Sequence, residues 1–324
     1  MIKYLIEKYV VQDNNFSSII ENYPKIEFES YKDCIIFLEN YLSSDTFIIN
    51  AIHGRVNYKN KKVYRTFNYK LINYIYDNIK NFSKINFIIL TGDFWIRPPE
   101  IYTNYIRKVF KPPSNVNVLT FASEKVISKF HNVSYSSYKN NIHKLLHHTI
   151  SEKNIQKYNK NPKNQISIFG NYRDDYYPLR NKILIDNPNV IKYKQLPMNI
   201  FLATINDSFA CFTTSVHPLN YTTKKHESSN CILLKVFEIL AGGSLLLYPK
   251  DEEQYLNEIG LYDKQNCWLI DMNKNIPEQC SYVTNPNNRS QLEKIRLAGY
   301  NHTITNLTQE KLLKPLVDFL EKIN

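Results

Sequence analysis

Two kinds of hydrophobic pattern alternate along the chain. Short apolar runs stand at 46–51, 85–90, 116–121, 165–169, 190–194, 209–213, 244–248 and 266–270. Runs of this length, rich in Ile, Phe and Val, predict strands buried on both faces. Between them, helical spacing occurs at 31–42, 69–79, 124–131, 199–205, 252–259, 286–300 and 312–323. The stretch 286–300 turns Leu292, Ile295 and Leu297 inward, and the last puts Leu312, Leu313, Leu316, Val317, Leu320 and Ile323 on one side. Residues 1–45 are otherwise mixed. Strand and helix in alternation predict an α/β protein with parallel sheets. The segment SEKNIQKYNKNPKN, starting at Ser151, has the composition of a linker and divides the chain into two such halves.

The most informative stretch is 228–250, SSNCILLKVFEILAGGSLLLYPK. Ser228, Ser229 or Asn230 can cap a helix there. From 231 to 241 only Lys235 and Glu238 interrupt the apolar residues. They are three apart and share one face, which Gly242 extends by a turn. A helix that is apolar all round, with one narrow polar stripe, is predicted to be buried with the stripe facing something polar. Gly242 and Gly243 end it, and 244–248 follows as a strand stopped by Pro249. The stripe is read in two ways. Lys235 and Glu238 form one internal ion pair, or Glu238 accepts from sugar hydroxyls while Lys235 faces an anion.

Composition narrows the picture only a little. The chain has 324 residues, 43% hydrophobic, enough for two cores. Gly is scarce, and Asn, Lys, Ile and Tyr are abundant, as in an AT-rich coding sequence of a large DNA virus or an AT-rich microbe. The net charge of +11 permits an anionic partner, but Lys is spread throughout rather than clustered as a nucleic-acid binder requires. A nucleic-acid partner therefore ranks low. Lys59, Lys61 and Lys62 allow peripheral membrane contact. Five scattered cysteines without a CxxC pair indicate free thiols in a reducing compartment. No signal-peptide pattern and no run of transmembrane length occurs, so a cytoplasmic protein is expected, in the host cytoplasm if viral. His143 and His147, four apart and followed by His148, would share a face of a helix, but nothing nearby completes a metal set.

Chemistry in doubly wound sheets sits at the carboxyl ends of strands. The loop after 165–169 offers Gly170, Arg173 and then Tyr177-Pro178-Leu179-Arg180, with Pro in the first turn of a helix. Gly170 permits close backbone approach, the helix start favours a phosphate, and Arg173 and Arg180 add charge-assisted bonds. A basic loop for a diphosphate, with Glu238 for a ribose, suggests a nucleotide-sugar donor. In the first half, position singles out His53, Arg55, Asp93 and Arg97, of which Asp93 and His53 qualify as a general base if the chain is an inverting enzyme. Asp93, beside Trp95, reads equally as a turn cap and His53 as a turn residue. His217 either touches the donor sugar or staples its loop.

In order, FGNYRDDYYPLR, KVFEILAGGSLLL, GLYDKQNCWLID and TNPNNRSQLEKIRLAGYNHTI resemble the carboxyl-terminal half of group 1 glycosyltransferases of the GT-B fold. The resemblance covers about 160 residues and leaves the amino-terminal half without a family motif. It implies two Rossmann-like doubly wound domains facing a cleft. An acceptor-binding domain would span 1–160 and a nucleotide-sugar-binding domain 161–305, with a helix at 306–324 crossing back to the first. It implies Glu238 as the ribose acid and Gly242, Gly243 and Ser244 as a turn beside the donor phosphates. Arg173, Arg180 and Lys235 would meet the diphosphate, so no metal or other cofactor is expected beyond the donor as co-substrate. The expected partners are a nucleotide-sugar donor and a glycan or protein acceptor. In one departure, Asn230 stands eight residues before Glu238, where many relatives carry a glutamate that contacts the sugar. The alternatives are a non-catalytic binding or scaffold protein with a relict cleft, favoured by Asn230, and a DNA-modifying glycosyltransferase, supported only by the basic charge.

Overall fold

The structure is a computed structural model. It describes the whole chain except residues 8–22, 52–54, 59–60, 65–66, 92–104, 106, 121–123, 125–126, 129–132, 145–149, 171–176, 188–189, 194–195, 216, 218, 221–224, 227–231 and 324. The chain divides into two compact units, Met1–His147 with Leu313–Asn324, and His148–Leu312.

The first unit is built on a sheet in the order β2-β1-β3-β6-β7-β8. Its strands are β1 (Ile2–Glu7), β2 (Lys25–Phe28), β3 (Thr46–Asn50), β6 (Asn86–Thr91), β7 (Val116–Thr120) and β8 (Ile142–His143), and each pairs parallel with its neighbour. A separate antiparallel hairpin pairs β4 (Arg55–Tyr58) with β5 (Lys61–Tyr64). Helix α1 (Tyr31–Glu39) lies in the crossover from β2 to β3, and α2 (Phe67–Asp77) in that from β3 to β6. Helix α1 starts where Ser30 Oγ accepts from the Asp33 N–H. Phe47, Phe82 and Phe87 are fully buried between these layers, with Phe82 edge-on to Phe87. His143 lies in strand β8, not on a helix, with Nε2 3.1 Å from Asn117 Oδ1. His147 and His148, read with it, lie outside the described residues.

The second unit holds a parallel sheet in the order β10-β9-β11-β14-β15. Strand β9 is Lys163–Phe169, β10 Ile191–Tyr193, β11 Ser208–Phe212, β14 Leu245–Pro249 and β15 Trp268–Ile270. A short hairpin, β12 (Leu219–Asn220) and β13 (Lys225–His226), stands outside it. All five positions of both β11 and β14 are buried, which is why they read as unbroken apolar runs. The helices are α3 (Pro178–Asp186), α4 (Met198–Asn206), α5 (Leu234–Ala241), α6 (Glu253–Asn257), α7 (Ile276–Thr284) and α8 (Arg289–Asn306). The last helix, α9 (Gln309–Lys322), begins here and continues into the first unit, where Leu313, Leu316 and Leu320 are buried. Leu292 and Ile295 of α8 point inward, but Leu297 is 41% exposed. Two residues past Ile295, it lies beyond the edge of the apolar stripe.

The segment of linker composition lies in the second unit and is fastened to it. Gln156 N–H donates to Ala241 O, Tyr300 Oη to Gln156 O, and Asn206 Nδ2 to Lys157 O. Arg296, buried in α8, donates Nη2 to Asn159 O at 2.6 Å and to Glu293 at 2.8 Å, with its guanidinium 4.3 Å above the Tyr158 ring. The segment's Asn and Lys content hid this packing, because composition does not show that its backbone at Gln156, Lys157, Asn159 and Pro162 accepts from side chains of the unit.

Candidate functional site

Numbered within its own unit, the second sheet has the order 2-1-3-4-5. In such sheets a ligand binds at the carboxyl edge between the first and third strands, where the order reverses. Here those strands are β9 and β11. Gly170 leaves β9 with φ +103°, a conformation that favours glycine. A Cβ at this position would lie 3.4 Å from Arg180 Nη1 and 4.0 Å from Lys235 Cε. Three residues far apart in sequence therefore meet at the switch point.

Arg180 comes from the first turn of α3, which opens with Pro178. Its side chain is buried, with Nη2 donating to Thr213 Oγ1 at 3.1 Å and Nη1 3.5 Å from Phe169 O. Phe169 ends β9 and Thr213 follows β11, so the guanidinium spans the crevice between them. The Tyr177 ring covers one face at 4.1 Å.

Lys235 and Glu238 are the second and fifth of the eight residues of α5. Lys235 Nζ lies 2.7 Å from Glu238 Oε2 and 3.8 Å above the Phe201 ring. The carboxylate is 4% exposed and the lysine side chain 28%. Helix α5 begins at Leu234, with Leu233 as a cap that makes no side-chain bond, rather than at 231. The predicted caps Ser228, Ser229 and Asn230 lie outside the described residues. Beside the pair, Phe169 stacks on Tyr193 at 5.1 Å and meets Phe201 edge-on at 5.2 Å. Tyr193 closes β10, so its half-buried ring, backed by the buried Phe169 and Phe201, stands at the same edge of the sheet.

The structure does not bring Gly242, Gly243 and Ser244 to this place. They join the end of α5 to the start of β14, at the amino edge of the sheet. Ser244 Oγ bonds Ile205 O and Ser208 O, at the foot of β11. A Cβ on Gly242 would lie 2.4 Å from Ile205 Cγ2. Gly243, at φ +74°, gives its carbonyl to Arg296 Nη1, and a Cβ there would lie 3.2 Å from Tyr158. The stripe Lys235, Glu238, Gly242 does share a face. But a helix rises about 1.5 Å per residue, so Gly242 lies roughly 10 Å along the axis from Lys235. The donor-phosphate role read for this turn is corrected on that ground: it packs against protein at the opposite edge.

His217 lies in the loop after β11 and is 8% exposed. Nδ1 is 3.1 Å from Ser215 O and Nε2 2.8 Å from Glu252 Oε1. Both nitrogens face acceptors within the protein, so the imidazole fits the stapling role better than a sugar contact. Glu252 also accepts from Ser215 N–H at 3.0 Å and from the Ser215 hydroxyl. Burial pushes the Glu252 carboxyl up, but the bonds from His217 and Ser215 outweigh it and hold the group below the usual glutamate value. Sequence reasoning missed Glu252. Its only signal was a position just past Pro249, at the carboxyl end of a strand. His53, Asp93 and Arg173 lie outside the described residues, just past the ends of β3, β6 and β9.

Among the described residues no helix is long and apolar enough to cross a membrane, and no group of three His, Cys, Asp or Glu could hold a metal ion. Cys34, Cys211, Cys267 and Cys280 are free and buried, and burial pushes the Cys211 thiol up to about 12.

Solved structures that match the chain are glycosyltransferases. The chain is similar to a glycosyltransferase from Rickettsia africae ESF-5, at 9% identity and a TM-score of 0.56, with 99% of this chain and 98% of that one covered. It is similar to Anabaena Alr3699/HepE, solved in complex with UDP-glucose, at 9% identity and a TM-score of 0.53, with 99% of each chain covered. It is also similar to the pneumococcal O-GlcNAc transferase GtfA, solved in complex with UDP and GlcNAc, at 9% identity and a TM-score of 0.51. That match covers 90% of this chain, which spans 58% of the pneumococcal enzyme's length. No protein-family model matches the sequence, and no curated protein matches it. Two parallel α/β sheets, each in its own unit, give this chain the fold of the GT-B glycosyltransferases.

Proposed function

We propose that the chain is a glycosyltransferase that moves a sugar from a nucleotide-sugar donor to a glycan or protein acceptor without a metal. The observation that carries this reading is the convergence of Gly170, Arg180, Lys235 and Glu238 at the β9/β11 switch point. Glycosyltransferases of the same fold, solved with UDP or UDP-glucose, support it. In the reaction, the bond between the anomeric carbon and the diphosphate oxygen breaks as the acceptor oxygen bonds that carbon. The acceptor's proton goes to a base, for which Asp93 and His53 are the candidates in the first unit. The leaving diphosphate gathers negative charge. Arg180, Lys235, Arg173 and the amino terminus of α3 would meet that charge in place of a metal. Glu238 would hold the ribose hydroxyls. Tyr193, backed by the buried Phe169 and Phe201, would offer the nucleobase an apolar shelf. Buried free thiols support a reducing compartment, and with it a cytoplasmic location.

The test is release of nucleotide diphosphate from a panel of nucleotide sugars, with and without EDTA. Turnover of one donor that survives EDTA and falls at least about a hundredfold in Arg180→Ala is expected, the size seen when a charge-stabilising group is removed. Donor turnover that vanishes with EDTA would overturn metal independence. Nucleotide binding without turnover of any donor would leave a binding protein.

A further inference from the structure

We infer that Glu252 is a positioning residue that holds Arg180 in place through the loop after β11. The inference rests on the donor-site reading above and names a residue that no motif marks. Glu252 ends the turn Lys250–Glu252 that follows β14, and it is 3% exposed. Its two oxygens collect three donors from one short loop: the Ser215 N–H, the Ser215 hydroxyl and His217 Nε2. The other imidazole nitrogen closes back onto Ser215 O at 3.1 Å. Ser215 is thus gripped by its N–H, its hydroxyl and its carbonyl. Two residues earlier, Thr213 N–H continues the sheet to Leu247 O at 3.1 Å, and Thr213 Oγ1 accepts from Arg180 Nη2 at 3.1 Å. A hydroxyl held in place fixes the edge of the guanidinium that donates to it, whereas a loose one leaves the side chain to a spread of rotamers. The buried carboxylate is the anchor of this relay. In this role it touches no substrate.

A double-mutant cycle read as nucleotide affinity tests the relay. Calorimetry first selects the tightest of ADP, GDP, UDP and dTDP for the wild-type protein. Thr213→Val removes the acceptor for Arg180, and Glu252→Gln keeps the side-chain shape but removes the charge that holds the loop. Each is expected to weaken the selected diphosphate about tenfold, and the double variant no more than the worse single, because both act through one path. If Glu252→Gln does not fold, Ser215→Ala, which loses only the hydroxyl bond, replaces it in the same cycle. Multiplying effects in the double variant would overturn the inference. So would a Glu252→Gln protein that melts lower but binds as tightly as wild type. If the wild-type protein binds none of the four diphosphates, the donor-site reading itself fails, and the inference falls with it.

Discussion

Lys235 Nζ lies 2.7 Å from Glu238 Oε2, one helical turn into α5, so the carboxylate read as the ribose acid already holds an ammonium. Of the two readings of the polar stripe, the geometry holds the internal ion pair, and the ribose role of Glu238 is our proposal for the donor-bound state. The pair is an internal ion pair, yet the lysine side chain is 28% exposed and borders Gly170 at the switch point. A donor that takes Glu238 through its ribose would free Lys235 for the diphosphate one turn away.

Lys235→Met tests this exchange. The thioether chain keeps the stem over Phe201 but removes the counter-charge from a carboxylate that is 4% exposed. Removing one partner of a buried pair costs about 3–5 kcal/mol; the partial exposure here lowers the expectation to about 1–3. Diphosphate affinity should fall by tenfold or more, about 1.4 kcal/mol, while the nucleoside alone binds no worse. Calorimetry with a nucleotide diphosphate and its nucleoside checks both.

Gly170→Ala should damage both stability and binding. The residue sits at φ +103°, and a methyl group there would lie 3.4 Å from Arg180 Nη1. Backbone strain of this kind costs about 1–3 kcal/mol. Chemical denaturation and nucleotide titration should both register it.

Gly242→Ala separates the two edges of the sheet. Its methyl group would press on Ile205 Cγ2 at 2.4 Å, in a fully packed region. Overpacking costs about 1–3 kcal/mol. Because the turn lies at the amino edge, nucleotide affinity of the folded fraction should stay at the wild-type value. A large loss of affinity would place the turn in the site after all.

Acid should unfold the protein partly through Glu252 and Glu293. Burial pushes both carboxyls up. Bonds from His217 and Ser215 in one case, and from Arg296 and Tyr158 in the other, more than reverse this and hold both below the usual value. A folded value below the unfolded one adds stability above the unfolded glutamate value, about 4.3, and that stability is lost as pH falls through the folded value. The melting temperature should therefore drop as pH falls below about 5. The drop should be shallower in Glu252→Gln. Equal slopes would mean that Glu252 does not titrate in this window.

Most of the second sheet was legible because its strands are buried on both faces and leave an unbroken apolar signature, as at Phe209–Phe212 and Leu245–Tyr248. Strand β1 escaped because Lys3 interrupts it, a lysine satisfied by Asp45 at 2.7 Å. The start of α5 was misplaced because Ile232 and Leu233 extend the apolar run and no capping side chain marks the boundary. Gly170, Arg180, Lys235 and Glu238 were legible because each belongs to a local signal: a strand-glycine loop, a proline-led helix, an i,i+3 pair. Periodicity tells which face a residue takes but not how far along the axis it lies, and that is how Gly242 was drawn into the site. Glu252 had no signal beyond its place just past the end of a strand. Its partners Ser215 and His217 are 37 and 35 positions away, and only the parallel pairing of β11 with β14 brings them together.

Whether Glu238 sits in a nucleotide-sugar site can be decided by a thermal-shift panel of nucleotide diphosphates and nucleotide sugars. A ligand at a hundred times its dissociation constant should stabilise the wild-type protein by about 2.7 kcal/mol, an easily measured rise in melting temperature. One nucleotide and its sugars should give this rise in wild type and not in folded Glu238→Ala. No rise with any nucleotide, or the same rise in both proteins, would contradict a nucleotide-sugar site at Glu238.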